Sequence, residues 1–173
     1  SLVLLTLALA GCTGGGTGSA GIMVTDKPTE DYSSVLVTFS RAAIHQAGSD
    51  EGNASENSTA GWITVVNASR TVDLLALHAN QTAEALGFAQ VAAGRYTQVR
   101  VYVDRVEAMP KNGTTAVEIT VPSGVLRTAK SFEVRAGGNT TLTLEIDLDR
   151  SISCNANRCL FQPVLGKVEA QEQ

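Results

Sequence analysis

From Gly21 onward, apolar and polar residues alternate with a period of two. Leu142, Leu144, Ile146 and Leu148 alternate with Thr141, Thr143, Glu145, Asp147 and Asp149, the pattern of a strand buried on one face. Val99, Val101 and Val103 repeat it between Gln98, Arg100, Tyr102 and Asp104, and Val117, Ile119 and Val121 repeat it across Glu118 and Thr120. Shorter runs agree: Val35-Val37-Phe39, Ile63-Val65 and Phe132-Val134. Turn signals separate them. Asn112-Gly113 predicts a hairpin, Gly137-Gly138-Asn139 another turn, and Pro122-Ser123-Gly124 a loop. Pro163 demotes the last apolar run to an edge or bulged strand. Helical turns are expected only at Val72–Leu77 and Thr82–Leu86. The pattern predicts an all-β fold, a single antiparallel β-sandwich of about seven to nine short strands.

The chain opens differently. Leu2 to Ala10 is apolar except for Thr6. About ten residues of helix cover roughly 15 Å, half a hydrocarbon core, which suits the apolar region of a signal peptide. The chain begins with Ser and has no basic stretch ahead of this run, so residues are expected to be missing before Ser1. Leu9-Ala10-Gly11-Cys12 has the form of a lipoprotein cleavage site, with cutting just before Cys12 and a thioether-linked lipid on its sulfur. Two or more long acyl or prenyl chains hold a protein stably at a membrane. Thr13 to Ala20 is rich in Gly, Ser and Thr, the composition of a flexible spacer. Gly16, Gly18 and Gly21 spell a dinucleotide fingerprint, but it follows a leader and precedes a strand, the wrong context for one. The expected organisation is a cleaved leader at 1–11, the lipidated Cys12 with its spacer at 12–20, one β-sandwich at 21–169 and a polar tail at 170–173. About 150 residues after the spacer are enough for one domain with a sizeable core.

Cys154 and Cys159 are the other two of three cysteines. In an exported chain so close a pair reads as a disulfide. Asn53, Asn57, Asn67, Asn80, Asn112 and Asn139 each begin Asn-x-Ser/Thr, and all fall in polar gaps between apolar runs, where a glycan sits on the surface. A lipoprotein site beside dense sequons points to an archaeal cell surface, because bacteria rarely glycosylate Asn and eukaryotes do not use this cleavage signal. The expected location is extracytoplasmic, on the outer face of the membrane.

Gly21-Ile22-Met23-Val24-Thr25-Asp26-Lys27-Pro28, Gly61-Trp62-Ile63-Thr64, Val72-Asp73-Leu74-Leu75-Ala76-Leu77 and Ala93-Gly94-Arg95-Tyr96-Thr97-Gln98-Val99-Arg100 together resemble the prokaryotic lipoproteins grouped as domain of unknown function family 4382. Val121-Pro122-Ser123-Gly124, Asp147-Leu148-Asp149 and Gln162-Pro163-Val164 fit the same family, so the resemblance spans about Gly21 to Val168. It implies a lipid-anchored, extracytoplasmic sandwich of transthyretin-like or carboxypeptidase-regulatory-like character. It implies no activity.

Net charge is −4, with scattered Lys and Arg, which argues against a nucleic-acid partner. The two histidines, His45 and His78, belong to no catalytic motif; a Ser–His–Asp triad needs only to meet in space, but nothing marks one. Asp26, Glu30 and Asp31 fall after the first strand, and Glu145, Asp147 and Asp149 alternate along a late one. If that loop packs beside that strand end, Asp26, Asp31, Asp147 and Asp149 could hold Ca²⁺, which takes six to eight hard oxygens. The alternative is a solvated acidic face, with Asp26 in an Asx-turn before Pro28. Trp62, Tyr32, Tyr96 and Tyr102 are candidates for a carbohydrate-binding face, although Trp62 heads a strand and is expected in the core. The reading is a non-enzymatic module without a cofactor that binds carbohydrate or envelope proteins or builds the cell coat. A subunit that pairs strands in a filament or matrix and an unmarked hydrolase are the alternatives.

Overall fold

The structure, a computed structural model, describes residues 15–49, 61–155 and 158–173. Cys12, Asn53 and Asn57 lie outside these residues. Four strands form one sheet: β1 (Thr17–Lys27), β5 (Glu84–Ala92), β10 (Asn139–Asp147) and β13 (Leu165–Glu172), in the order β13-β10-β1-β5. The other sheet is built on the long antiparallel pair β2 (Tyr32–Gln46) and β6 (Gly94–Pro110). β3 (Trp62–Val66) and β4 (Arg70–Asp73) extend it beside β2. β7 (Val117–Ile119), β8 (Val125–Thr128) and β9 (Phe132–Val134) line the far side of β6. A hairpin of β11 (Ile152–Asn155) and β12 (Arg158–Phe161) and two short helices, α1 (Leu74–Asn80) and α2 (Leu148–Ser151), complete the described fold.

The sheets meet through the alternating apolar residues. Ile22 and Val24 of β1 and Leu142, Leu144 and Ile146 of β10 are fully buried, facing Val37, Ile44, Val99 and Val101 of the larger sheet. At 25 cal/mol per Å² of apolar surface this burial is the main favourable contribution to folding. Tyr96 is enclosed as well, stacked on Phe132 at 5.4 Å between ring centroids, and its hydroxyl donates to the carbonyl of Ala92 at 2.8 Å. Burial raises its pKa.

The sandwich expected from the alternation is there, with four differences. Thirteen strand segments are present among the described residues, because β-bulges and register shifts break the edges of the larger sheet into short pieces that pair with different stretches of β2 and β6. The smaller sheet contains one parallel pair, β1 with β10, so it is mixed. Thr82–Leu86 is not helical: Gln81 ends α1 in the left-handed region at φ 52 and β5 starts at Glu84.

The fourth difference is in the boundaries. The strand begins at Thr17 and the last one runs to Glu172, so part of the expected spacer and most of the expected tail are sheet. Ser19 N–H donates to the carbonyl of Gly138, and Asn139 and Gln173 exchange both backbone bonds. Gly18 marks close packing there, not slack: a Cβ at this position would collide with the carbonyl oxygen of Arg135. β1 lies inside its sheet, paired on both sides, which leaves β5 and β13 as that sheet's edges.

Pro163 separates β12 from β13, and β13 is an edge strand. Cys154 and Cys159 face one another in the β11–β12 hairpin and form a disulfide, S–S 2.01 Å. The loop it closes is short, so on the chain-entropy estimate it adds about 2 kcal/mol. Phe161 fastens this hairpin to the body: its side chain is fully buried and its N–H donates to the carbonyl of Thr120 at 2.8 Å.

Candidate functional site

Two places concentrate polar chemistry. The first is the end of the sandwich where β1 and β10 finish. Ala20, Ile22, Val24 and Asp26 all point into the core, so Asp26 is a buried carboxylate at the last inward position of its strand. Neither of its oxygens has a hydrogen-bond partner. His78, on the last turn of α1, brings Nδ1 to 4.0 Å from Asp26 Oδ1, with its own ring half exposed. Burial pushes the Asp26 pKa up from 3.8 to about 6; the His78 charge opposes this, and Asp73 adds to the rise. Asp73 is itself engaged, accepting from Ser34 Oγ at 2.8 Å and from the N–H of Val35 at 3.2 Å.

Asp147 ends β10 opposite Lys27. It is buried, yet it receives Lys27 Nζ at 3.0 Å and the N–H of Arg150 at 3.2 Å, capping α2. Burial pushes its pKa up, but the Lys27 and Arg150 bonds and charges outweigh this and hold it below the usual value. Ser151 Oγ donates to the Asp147 carbonyl at 2.6 Å and accepts from the N–H of Val164 at 2.9 Å. This network seats α2 and the chain leading to β13.

Beside it lies a hollow of about 210 Å³ lined by Thr29, Asp31, Tyr32, Leu148, Asp149 and Cys154. Tyr32 donates its hydroxyl to the Cys154 sulfur at 3.4 Å. Burial, then the Asp31 charge, raises the Tyr32 pKa.

The four carboxylates considered for calcium are therefore divided. Asp31 and Asp149 share the hollow, Asp147 is held by Lys27 and α2, and Asp26 points inward under α1. Asp26 lies within β1, not in a loop, and Asp149 lies on α2, not on a strand face. Among the described residues no group of three or more His, Cys, Asp and Glu is arranged to hold a metal ion.

The second place is the outer face of the larger sheet. Ile44, Val99, Val101 and Leu126 point inward, so their strand neighbours His45, Arg100, Tyr102 and Arg127 point outward. Register sets Trp62 of β3 opposite His45 of β2, Arg41 of β2 opposite Tyr102 of β6, and Arg100 of β6 opposite Arg127 of β8. Trp62 is thus half-buried on the outside and not the core residue expected; its ring meets His45 at 5.0 Å and lies under the Arg100 guanidinium at 3.9 Å. Arg41 lies over the Tyr102 ring at 3.9 Å. Each arginine over a ring gains about 0.5–1 kcal/mol at an exposed site. Tyr96 belongs to the core and Tyr32 to the hollow, so neither joins this face.

The arginines went unremarked in sequence because their meeting with Trp62 and Tyr102 depends on strand register. For Arg100 the available signal was its alternation with Val99, Val101 and Val103; Arg41 continues the inward period of Val35, Val37 and Phe39, and only the register shift in β2 turns it outward. Of the described sequons, Asn67, Asn80, Asn112 and Asn139 are all exposed.

The molecule is an all-β sandwich of two unequal sheets, with a disulfide-closed hairpin and an outer face on which two arginines lie over aromatic rings. The chain belongs to the family described as Domain of unknown function (DUF4382), whose family model matches residues 17–163. No curated protein and no solved structure matches it.

Proposed function

We propose that this chain is a non-enzymatic binding module of the cell surface, fastened to the outer face of the membrane by a lipid on Cys12, N-glycosylated, and making its contacts through the outer face of the larger sheet. The observation that carries the binding role is the set of two arginines laid on two rings across β3, β2 and β6. Such groups on a rigid sheet recognise a partner without the convergent nucleophile and base that a hydrolase needs. The extracytoplasmic reading is supported by the cleavage-type sequence before Cys12, by the disulfide and by the exposed sequons.

Cell fractionation tests the anchoring. The full chain is expected in the membrane fraction, and Cys12→Ser is expected to move it to the soluble fraction or leave it as an unprocessed precursor. A Cys12→Ser protein that is processed and membrane-bound like the parent would refute the lipid tether.

A further inference from the structure

We infer that the end of the sandwich where β1 begins rests on the lipid headgroups of the membrane, so that the sandwich stands on this base. This rests on the Cys12 anchor proposed above and names the surface which that anchor brings to the bilayer. The shortness of the tether carries it. Composition suggests slack as far as Ala20, but the folded body begins at Gly16. The Gly16 carbonyl accepts from the N–H of Ala93 at 2.7 Å, and the Thr17 carbonyl accepts from the N–H of Gly137 at 2.8 Å. A Cβ on Gly16 would collide with that of Ala136, so the chain enters the fold clasped between two turns.

From Cys12 to Gly16 the fully extended chain reaches at most about 15 Å. A lipid on Cys12 holds its sulfur at the border of the hydrocarbon, under a headgroup layer about 5–7 Å deep. Roughly 8–10 Å then separates the base from the headgroups even at full stretch. Full stretch costs the tether its conformational freedom, and a relaxed tether brings the base into contact. β1 lies inside its sheet, with β10 on one side and β5 on the other. The anchor therefore leaves from the middle of the base and not from a corner.

The base consists of the β5–β6 turn, residues 129–131, the turn at 135–138 and the end of β13. Among the described residues it carries Arg95, Lys130 and Arg135 with Glu133 and Glu172, and Arg135 pairs with Glu172 at 3.1 Å. These charges nearly balance, so the tether sets the contact and no particular lipid charge is needed. The opposite end points away. β1 runs about 33 Å from Thr17 to Lys27, and the hollow of Asp31, Tyr32 and Asp149 lies beyond it. Asn139, level with Ser19, is the described sequon nearest the base, where a glycan competes with headgroups for space. The outer face of the larger sheet is left open to the side.

Cys12 carries the lipid in this account and Cys154 is joined to Cys159, so an introduced cysteine is the one free thiol for a fluorophore. The lipidated full chain is extracted from native membranes and labelled at Ala136→Cys or Ser131→Cys on the base, or at Ala116→Cys at the far end. Each is reconstituted into phosphatidylcholine vesicles that contain a headgroup spin label. Quenching is expected at both base positions and not at Ala116→Cys. Inserting about twenty Gly/Ser residues after Thr13, with roughly 25 Å of r.m.s. reach, is expected to remove most of it. Glycopeptide mass spectrometry is expected to find lower occupancy at Asn139 than at Asn80 and Asn112. A chain that floats with the vesicles yet shows no quenching at the base, equal quenching at Ala116→Cys, or undiminished quenching after the insertion would overturn the placement and leave the anchor standing. Higher occupancy at Asn139 than at the other two would overturn it as well. A chain that fails to float with the vesicles refutes the anchor, and the placement with it.

Discussion

Phe161→Ala is expected to lower the unfolding free energy by about 3–5 kcal/mol, the range for truncating a fully buried aromatic. The residue has no exposed surface and it ends the strand that ties the disulfide hairpin to Thr120. Its loss removes apolar contact from the core and frees the wall of the hollow formed by Ile152 and Cys154. Urea denaturation reads the effect as a lower midpoint with an unchanged slope if cooperativity survives. Val117→Ala is the control, since that residue is exposed and its truncation belongs with the surface substitutions that stay within about 0.5 kcal/mol. A Phe161→Ala midpoint equal to that of Val117→Ala would mean that the hairpin is not packed as described.

The second large effect has the opposite sign. Asp26→Asn is expected to stabilise the protein at neutral pH by about 2 kcal/mol. The Asp26 pKa is raised from 3.8 to about 6 in the folded state, so the folded form holds its proton more tightly than the unfolded chain does. The resulting stability is fully present below about pH 4 and is lost as pH rises through about 6. At 1.36 kcal/mol per unit the loss is at most about 3 kcal/mol, and partial solvent screening reduces it. Asn is neutral at every pH, so the gain over the parent should be near zero at pH 4 and complete above pH 6. Asp147 works the other way: its lowered pKa contributes stability that disappears as pH falls below the ordinary carboxylate range. Melting temperatures of both proteins from pH 4 to 8 check the sign. A parent that gains stability relative to Asp26→Asn as pH rises from 4 to 6 would contradict the dominance of burial over the His78 charge at this carboxylate.

The strands that alternate cleanly were legible before any coordinates. β10 and β6 fall where Leu142 to Ile146 and Val99 to Val103 predicted them, because one face is buried and the other is wet. β1 was harder at its start. Gly18 has no side chain to show which face is buried, and Gly/Ser/Thr composition fits a loose spacer as well as a strand squeezed against Arg135. Asp26 was disguised by its charge: extending the period of Ala20, Ile22 and Val24 by one step places it inside, but a carboxylate before Pro28 suggests a turn. The outer face needed information that a single strand does not contain. That Arg41 meets Tyr102 and Arg100 meets Trp62 follows from cross-strand register, which bulges in β2 shift by single residues. The helical turn expected at Thr82–Leu86 is absent because Glu84 and Ala85 pair with Val24 and Met23 of β1, and tertiary pairing outweighs local preference.

Intact mass spectrometry of the protein extracted from native membranes tests the surface-module account most directly. The predicted result is a mature chain beginning at Cys12, heavier by a lipid on its sulfur and by sugar at some of the Asn-x-Ser/Thr sites, and two hydrogens lighter for the Cys154–Cys159 disulfide. A chain that retains the residues ahead of Cys12, with that thiol unmodified and no added sugar, would contradict it.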